Sequence, residues 1–370
     1  GFLAVAHVLF GPLVRWLFGS ASFVAPLANA AVGAATAVAV HRFARHLLDP
    51  VRARVAGAIA ALHPGLIVYT AVLMSEPLTA FLLVVAGWAA VRHRGSLRGV
   101  LLGGAVLGLA TLVRPASLLA APLLVFTQPR PWSSALLRGA VATGLCVLVV
   151  LPWTARNCRV MDGCAFVSTN AGWNLAIGAL SDTGRFVALR AQDGCPVVTG
   201  QVQQDRCWAE VGRRAIARDP LGWLRKAPRK LAQTFNHESF AVEYLREADP
   251  TAWPEPRRVA GRELLSFFHR LLLAVGSLAV VGRVWRDDGW ARMIVQGALL
   301  GVLLATSVYA FRADHHPFHY VVLLTALVGL LPLPGRPWLG PAGRYSLGLV
   351  LVTAATHAVF FGDDRYHLVV

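Results

Sequence analysis

Lysine is almost missing from this 370-residue chain: of 35 basic residues only Lys226 and Lys230 are not arginine. Carboxylates are few as well, 19 in all, and charged residues of either sign make up 15% of the chain, against about 25% in an ordinary soluble domain. That scarcity argues against a water-soluble globule. No Cys-x-x-Cys pair, basic helix, RNA-binding motif or zinc-finger spacing occurs, so the net charge of +16 is not read as a nucleic-acid footprint and no nucleic-acid partner is expected. The first apolar run shows neither a basic region ahead of it nor a small-residue cleavage site after it, so it is not expected to be a signal peptide. What fills the chain is hydrophobic residues, 56% of the total, with a mean hydropathy of +0.56. The fold class expected is therefore an all-α polytopic membrane protein.

With about 17 to 25 apolar residues per crossing, and shorter pieces allowed where they pack inside protein, apolar segments fall near 1–18, 22–41, 55–71, 77–91, 99–113, 116–127, 139–155, 264–282, 293–311, 319–334 and 345–361. Five connections (41–54, 92–98, 128–138, 283–292 and 335–344) hold fourteen arginines, and Trp132, Trp285, Trp290 and Trp338 sit in them as interfacial anchors. The positive-inside rule makes these cytoplasmic. The outer side then receives Tyr69 to Glu76, Arg114-Pro115, the long insert, 312–318 and the C-terminus. This gives three regions: an N-terminal transmembrane bundle at 1–155, an outer insert with amphipathic helices at 156–262, and C-terminal transmembrane helices at 263–370. Segment 1–18 either crosses or lies as a half-helix on the outer side. Because Gly1 opens directly on an apolar run, a further helix and its outer loop are expected ahead of it.

Four of the five cysteines, Cys158, Cys164, Cys195 and Cys207, lie in the insert. An even number on the outer side reads as two disulfides; Cys158–Cys164 with Cys195–Cys207 is one of three connectivities, and zinc is the competing reading. Cys146, in an apolar segment, reads as a packed thiol.

The polar chemistry is sparse enough to be followed residue by residue. Glu76 is the single carboxylate between residues 50 and 161. An ionisable group at membrane depth costs at least ~2.5 kcal/mol and ordinarily faces a cavity or a partner. Alternatively Ser75 caps the following helix, with Glu76 at the positive end of its dipole and Pro77 in its first turn. His63, before Pro64, either ends a helix or belongs to the sugar or acceptor site, together with Tyr69 and Ser75. Arg114 is the one charge between Arg98 and Arg130; it binds a lipid phosphate through its planar fork, snorkels, or pairs with Glu76. Arg312 is a second phosphate candidate. Arg156, Asn157, Trp173 and Asn174 suit a sugar, tryptophan stacking on its ring and amides bonding its hydroxyls, or else form an interfacial belt. No cofactor is required by the sequence. A divalent metal is the one candidate, with Glu76, His316 and His319 as its ligands, although Pro317 spoils the i, i+4 pairing of His315 with His319. Pro220 to Phe235 reads as an amphipathic helix lying on the outer leaflet, kinked at Pro228, with its lysines and arginines either solvated or guiding an anionic lipid head group toward the site.

The motifs His63-Pro64 through Ser75-Glu76-Pro77, Leu112-Val113-Arg114-Pro115, Pro152-Trp153-Thr154-Ala155-Arg156-Asn157 and Asn170-Ala171-Gly172-Trp173-Asn174 through Gly178, followed by the Pro220 to Lys230 helix, resemble in order and spacing the bacterial GT-C membrane glycosyltransferases. These are relatives of the protein O-mannosyltransferases and lipid A aminoarabinose transferases (glycosyltransferase family 39-like). The resemblance implies a GT-C helix bundle in the bacterial inner membrane, with a site facing the periplasm. It also implies transfer, with inversion, of a sugar from a polyprenyl-phosphate donor to a glycan, lipid or protein acceptor. It places the catalytic acid in an outer loop ahead of Gly1, with Glu76 as a supporting residue. Two other readings stay open: a polymerase or ligase of lipid-linked glycans, and a transporter or flippase, the latter disfavoured because the two halves show no repeat.

Overall fold

In the computed structural model residues 2–196, 199–283, 290–330 and 339–369 are described. Among them every regular element is helical and no strand occurs. The first half holds α1 (Phe2–Phe18), α2 (Val24–Ala44), α3 (Pro50–Ala61), α4 (Pro64–Val68), α5 (Glu76–Arg92), α6 (Leu97–Val113) and α7 (Trp132–Val160). The insert forms α8 (Ala171–Leu180), α9 (Gln201–Arg218), α10 (Pro220–Arg225), α11 (Ala227–Phe235) and α12 (Phe240–Ala248). The chain continues through α13 (Glu255–Arg283), α14 (Trp290–Arg312), α15 (Phe318–Leu330) and α16 (Pro341–Val359), and ends in a 3₁₀ segment, Asp364–Val369.

Three helical stretches are long and apolar enough to cross a membrane, Ala21–Ala44, Trp132–Val160 and Glu255–Val280. Their outward residues fit that solvent: Leu137 and Leu148 on α7 and Leu264 and Val275 on α13 are all more than half exposed, which water would not tolerate along whole helix faces. The most extensive helix contact is between α6 and α7, and small residues make it. A Cβ on Gly104 would lie 2.5 Å from the Ala142 carbonyl oxygen, and one on Gly108 2.6 Å from Val149 Cβ. Glycines four apart let two apolar helices close on each other's backbone where lipid supplies no hydrophobic drive between them. Gly104→Val is expected to lower the midpoint of thermal unfolding in detergent, by the ~1–3 kcal/mol of an overpacked interior, while Gly144→Val, where nothing lies within 4 Å of the added Cβ, leaves it in place.

Several boundaries differ from those the apolar runs indicate, mostly at prolines. Segment 55–71 is not one span: it divides into α3 and α4 at His63-Pro64, where His63 is extended (φ −64°, ψ 113°) and Nδ1 accepts from the Leu66 N–H. Segment 116–127 is two 3₁₀ pieces, Pro115–Ala120 and Pro122–Thr127, each opened by its proline. Helix α7 carries on past residue 155 through Arg156 and Arg159, and α13 starts at Glu255, nine residues before its apolar stretch. Backbone bonding continues where hydropathy has stopped, so the insert proper is shorter than 156–262. The stretch Pro220 to Phe235 breaks at Lys226, and Pro228 sits in the first turn of α11 instead of kinking a longer helix. Trp285, Arg286, Arg336 and Trp338, part of the basic connections, lie outside the described residues.

The insert is clamped by disulfides Cys158–Cys164 and Cys195–Cys207, the local one of the three connectivities, which removes a zinc site built on those thiols. Cys146 is buried and free, as a packed thiol should be. Helix α11 does not float on a surface. Leu231 and Phe235 pack against Val322 and Ala354, and Lys230, expected to be solvated, is fully buried with Nζ donating to the carbonyls of Ala358 (3.2 Å) and Val359 (3.1 Å). The last turn of α16 leaves those oxygens without helical partners, and a cation is what they attract.

Candidate functional site

At one end of the bundle the polar groups of distant segments meet. Glu76 opens α5, where it is 4% exposed, and Arg114 ends α6; Arg114 Nη1 donates to Glu76 Oε1 at 3.0 Å. Of the readings open for these two residues, the ion pair is the one formed. Ser75 makes no side-chain cap; its hydroxyl donates to Glu76 Oε2 at 3.4 Å. The chain after α16 then folds back over the pair. Tyr366 lies under the Arg114 guanidinium, 4.6 Å from carbon to ring centre, and stacks on His357 at 4.1 Å. A small cavity of about 40 Å³, the room of one or two waters, is left beside Arg114, Thr79, His357 and Tyr366.

The returning segment carries two carboxylates with separate roles. Asp364 Oδ2 accepts from the Ser239 and Phe240 N–H groups and from the Ser239 hydroxyl, closing the N-terminus of α12. Asp363 lies against Arg365, 3.6 Å from Nε. Burial, with Asp364 beside it, holds the Asp363 carboxyl above the usual carboxylate range, Arg365 only partly opposing. Both aspartates, with His237 and three arginines, line a cavity of roughly 360 Å³ between the insert and the C-terminal segment. Arg258 and Arg262 are paired with Glu243 at 3.2 Å. Arg185 meets the side-chain oxygen of Gln233 and, among the described residues, has no carboxylate partner. The His237 imidazole, 3.8 Å from Asp364, is held mainly neutral by burial.

The other residues singled out in the sequence disperse. Tyr69 is fully buried near this end, against Val72 and Ala241, with its hydroxyl unbonded. His63 caps α4 and meets Phe268 edge-on at 5.0 Å. Asn157 is buried and donates to the carbonyls of Ala165 and Val167, and the neighbouring Arg156 lies over Trp153; together they anchor the start of the insert. Trp173 packs edge-on to Trp208 at 5.5 Å in the insert's own core, and the next residue, Asn174, is half-buried. Arg312 is exposed at the end of α14 and lines neither cavity. His316 bonds the Ala310 carbonyl and His319 bonds Asn236. Neither joins Glu76 in a metal group, and the group present among the described residues is a different one, Glu238, His269 and His367.

Sequence reading missed Asp363, His237 and that Glu-His-His group. For Asp363 and His367 the one signal was the run Gly362-Asp363-Asp364-Arg365-Tyr366-His367, polar and charged directly after an apolar helix; His237, Glu238 and His269 had none. Compared with models of protein families, with curated proteins and with solved structures, the chain matches none.

Proposed function

We propose that this chain is an integral membrane glycosyltransferase of GT-C type, which moves a sugar from a polyprenyl-phosphate donor to an acceptor at the periplasmic side of a bacterial inner membrane. The observation that carries the reading is the roughly 360 Å³ cavity at the end of an apolar bundle, where Arg185, which among the described residues has no carboxylate partner, and the half-buried, charge-disfavouring carboxyl of Asp363 face the same space. Support also comes from the order of the motifs, from His63-Pro64 to the Pro220 helix.

In this reading an acceptor hydroxyl attacks the anomeric carbon as the bond from that carbon to the phosphate oxygen breaks. Two tasks fall to the protein: taking the hydroxyl proton, and stabilising charge on the departing lipid phosphate. Arg185 and Arg114 suit the second, being planar donors near the cavity and the ion pair. Asp363 suits the first among the carboxylates lining the cavity, since Asp364 is committed to α12 and Glu243 to two arginines. A base must be deprotonated to act. Because the Asp363 pKa is raised, transfer is expected to climb with pH across a midpoint above the ~3.9 of a free aspartate, and Asp363→Asn is expected to remove that acid limb along with most of the rate.

The deciding assay uses the chain together with whatever its gene encodes ahead of Gly1, reconstituted in vesicles with a radiolabelled sugar on polyprenyl phosphate. Label passing to an acceptor, with free polyprenyl phosphate released in equal amount, supports transfer. Label crossing into the vesicle still attached to its carrier identifies a flippase, and label moving as an oligosaccharide from a diphosphate identifies a polymerase or ligase.

A further inference from the structure

The returning C-terminal segment also contributes to a second polar cluster, which the proposed transfer does not use. Glu238 is fully buried, and neither of its carboxylate oxygens has a hydrogen-bond partner. His269 and His367 are 5% and 9% exposed, and the Nε2 of His367 is likewise buried without a partner. An unpartnered buried carboxylate costs several kcal/mol, more than a small domain's marginal stability can readily absorb. Something is expected to satisfy it.

The backbone around the cluster prepares both imidazoles for one kind of guest. Helix α11 ends at Phe235, and its last carbonyls have no helical donors. His367 Nδ1 lies 2.6 Å from the Thr234 oxygen and His269 Nε2 lies 2.9 Å from the Phe235 oxygen. A carbonyl can only accept, so each of these nitrogens carries the proton, and the opposite nitrogen, Nε2 of His367 and Nδ1 of His269, presents a lone pair. A ring proton held by a carbonyl is the supporting arrangement of metal-binding histidines, since it sets both tautomer and orientation. Glu238 is fixed from behind too: Ser266 on α13 bonds both its N–H and its carbonyl oxygen, at 3.1 and 3.2 Å. Ser266 and His269 are one turn apart on the same helix, so α13 places one ligand directly and the second through a serine.

One ligand atom from each of the three residues lies within 4.8 Å of the other two, and Glu238 Oε2 stands 4.0 Å from His367 Nε2. Two ligands on one tetrahedral zinc stand ~3.3 Å apart, given metal–ligand bonds of 2.0–2.1 Å. A closure of under an ångström therefore brings oxygen and nitrogen onto one ion, while the two imidazoles, stacked at 3.8 Å between centres and 25° between planes, splay to converge on it. Two imidazoles and a carboxylate select a first-row divalent transition ion and disfavour magnesium and calcium, which prefer all-oxygen shells.

We infer that Glu238, His269 and His367 form a binding site for one divalent transition-metal ion of the zinc class, which ties the insert, α13 and the C-terminal segment together. The ion joins residues from three separate parts of the chain, and through His367 it holds the neighbouring Tyr366 against Arg114. The inference stands whether or not the chain transfers sugar, because it rests on other residues.

The test uses purified full chain in detergent, stripped with chelator and titrated with zinc chloride against a chromophoric competitor, then with cobalt chloride. One zinc per chain is expected, with the affinity falling at least 100-fold in Glu238→Gln and in His367→Gln and unchanged in His315→Gln, an exposed histidine outside the cluster. Cobalt is expected to give visible d–d bands of low symmetry without a thiolate charge-transfer band. Zinc is also expected to raise the unfolding midpoint of the wild type and not of Glu238→Gln. A wild-type chain that takes up no stoichiometric zinc, or one whose affinity is the same in both ligand variants, overturns the site. The wild-type measurement decides the matter even where a variant does not fold.

Discussion

Arg114→Ala is expected to destabilise the protein by ~3–5 kcal/mol and, if the chain is a transferase, to lower turnover by orders of magnitude; Glu76→Gln should separate the two effects. Glu76 is 4% and Arg114 16% exposed at the side chain, so the pair is shielded from the solvent that makes surface ion pairs nearly worthless. Removing the arginine strands a buried carboxylate whose remaining bond is the long one from Ser75, and the cost of an uncompensated buried charge is what such a deletion measures. Glu76→Gln behaves differently. It keeps the shape, retains an acceptor for Arg114 Nη1, and frees the guanidinium's charge beside the small cavity with Tyr366 and His357. If Arg114 serves the lipid phosphate, Glu76→Gln preserves turnover or tightens donor binding while Arg114→Ala loses it. If the pair is purely structural, both variants track their unfolding midpoints, and Arg114→Lys restores stability and turnover together. Chemical or thermal unfolding in detergent and single-turnover transfer read the two quantities independently.

The pair itself was legible because its members are isolated in sequence. A lone carboxylate and a lone arginine at the same ends of neighbouring apolar helices have few other places to go, and positive-inside counting put them on one side. The disulfides were legible as one of three arrangements, because loop spacings of 6 and 12 residues favour local closure without excluding the others. Hydropathy located the apolar helices and misjudged their ends, since a helix continues as long as its carbonyls find donors, through Arg156 and Arg159 as readily as through Leu151.

The Glu238, His269 and His367 cluster was not legible for a specific reason. Its members are separated by 31 and 98 positions, on a loop, a helix and a C-terminal 3₁₀ segment, and no periodicity links them. His269 is a single polar residue within the apolar half of α13, and His367 lies in the short segment after α16, so neither stands out in the sequence. The link between them is the C-terminus of α11, whose two orphan carbonyls orient both rings, and that contact is a property of the packed chain. The same applies to Trp173: its neighbours Asn170 and Asn174 gave it the look of a sugar platform, whereas in the fold its ring packs on Trp208 within the insert.

Lys230 gives the clearest pH signature. Its ammonium is buried and, among the described residues, has no carboxylate partner; it lies over the Trp223 ring at 5.1 Å and against two carbonyls of α16. Burial, with Lys226 adding like charge, lowers its pKa to about 8 from 10.5. A lysine whose folded pKa is depressed burdens the folded state most below that pKa, where both states bind the proton but only the folded state pays for its desolvation. The burden fades as pH rises through 8 toward 10.5, where the unfolded chain also releases its proton. The wild-type unfolding free energy is therefore expected to gain on the order of 2 kcal/mol between pH 7.5 and pH 10 from this group. In Lys230→Met that gain is absent, so the difference between the two proteins must grow with pH; at neutral pH the variant trades the desolvation it no longer bears for the hydrogen bonds it no longer makes to Ala358 and Val359. Parallel pH profiles for the two proteins would mean that the amine is hydrated in solution, and that α11 lies farther from the end of α16 than the buried contacts require.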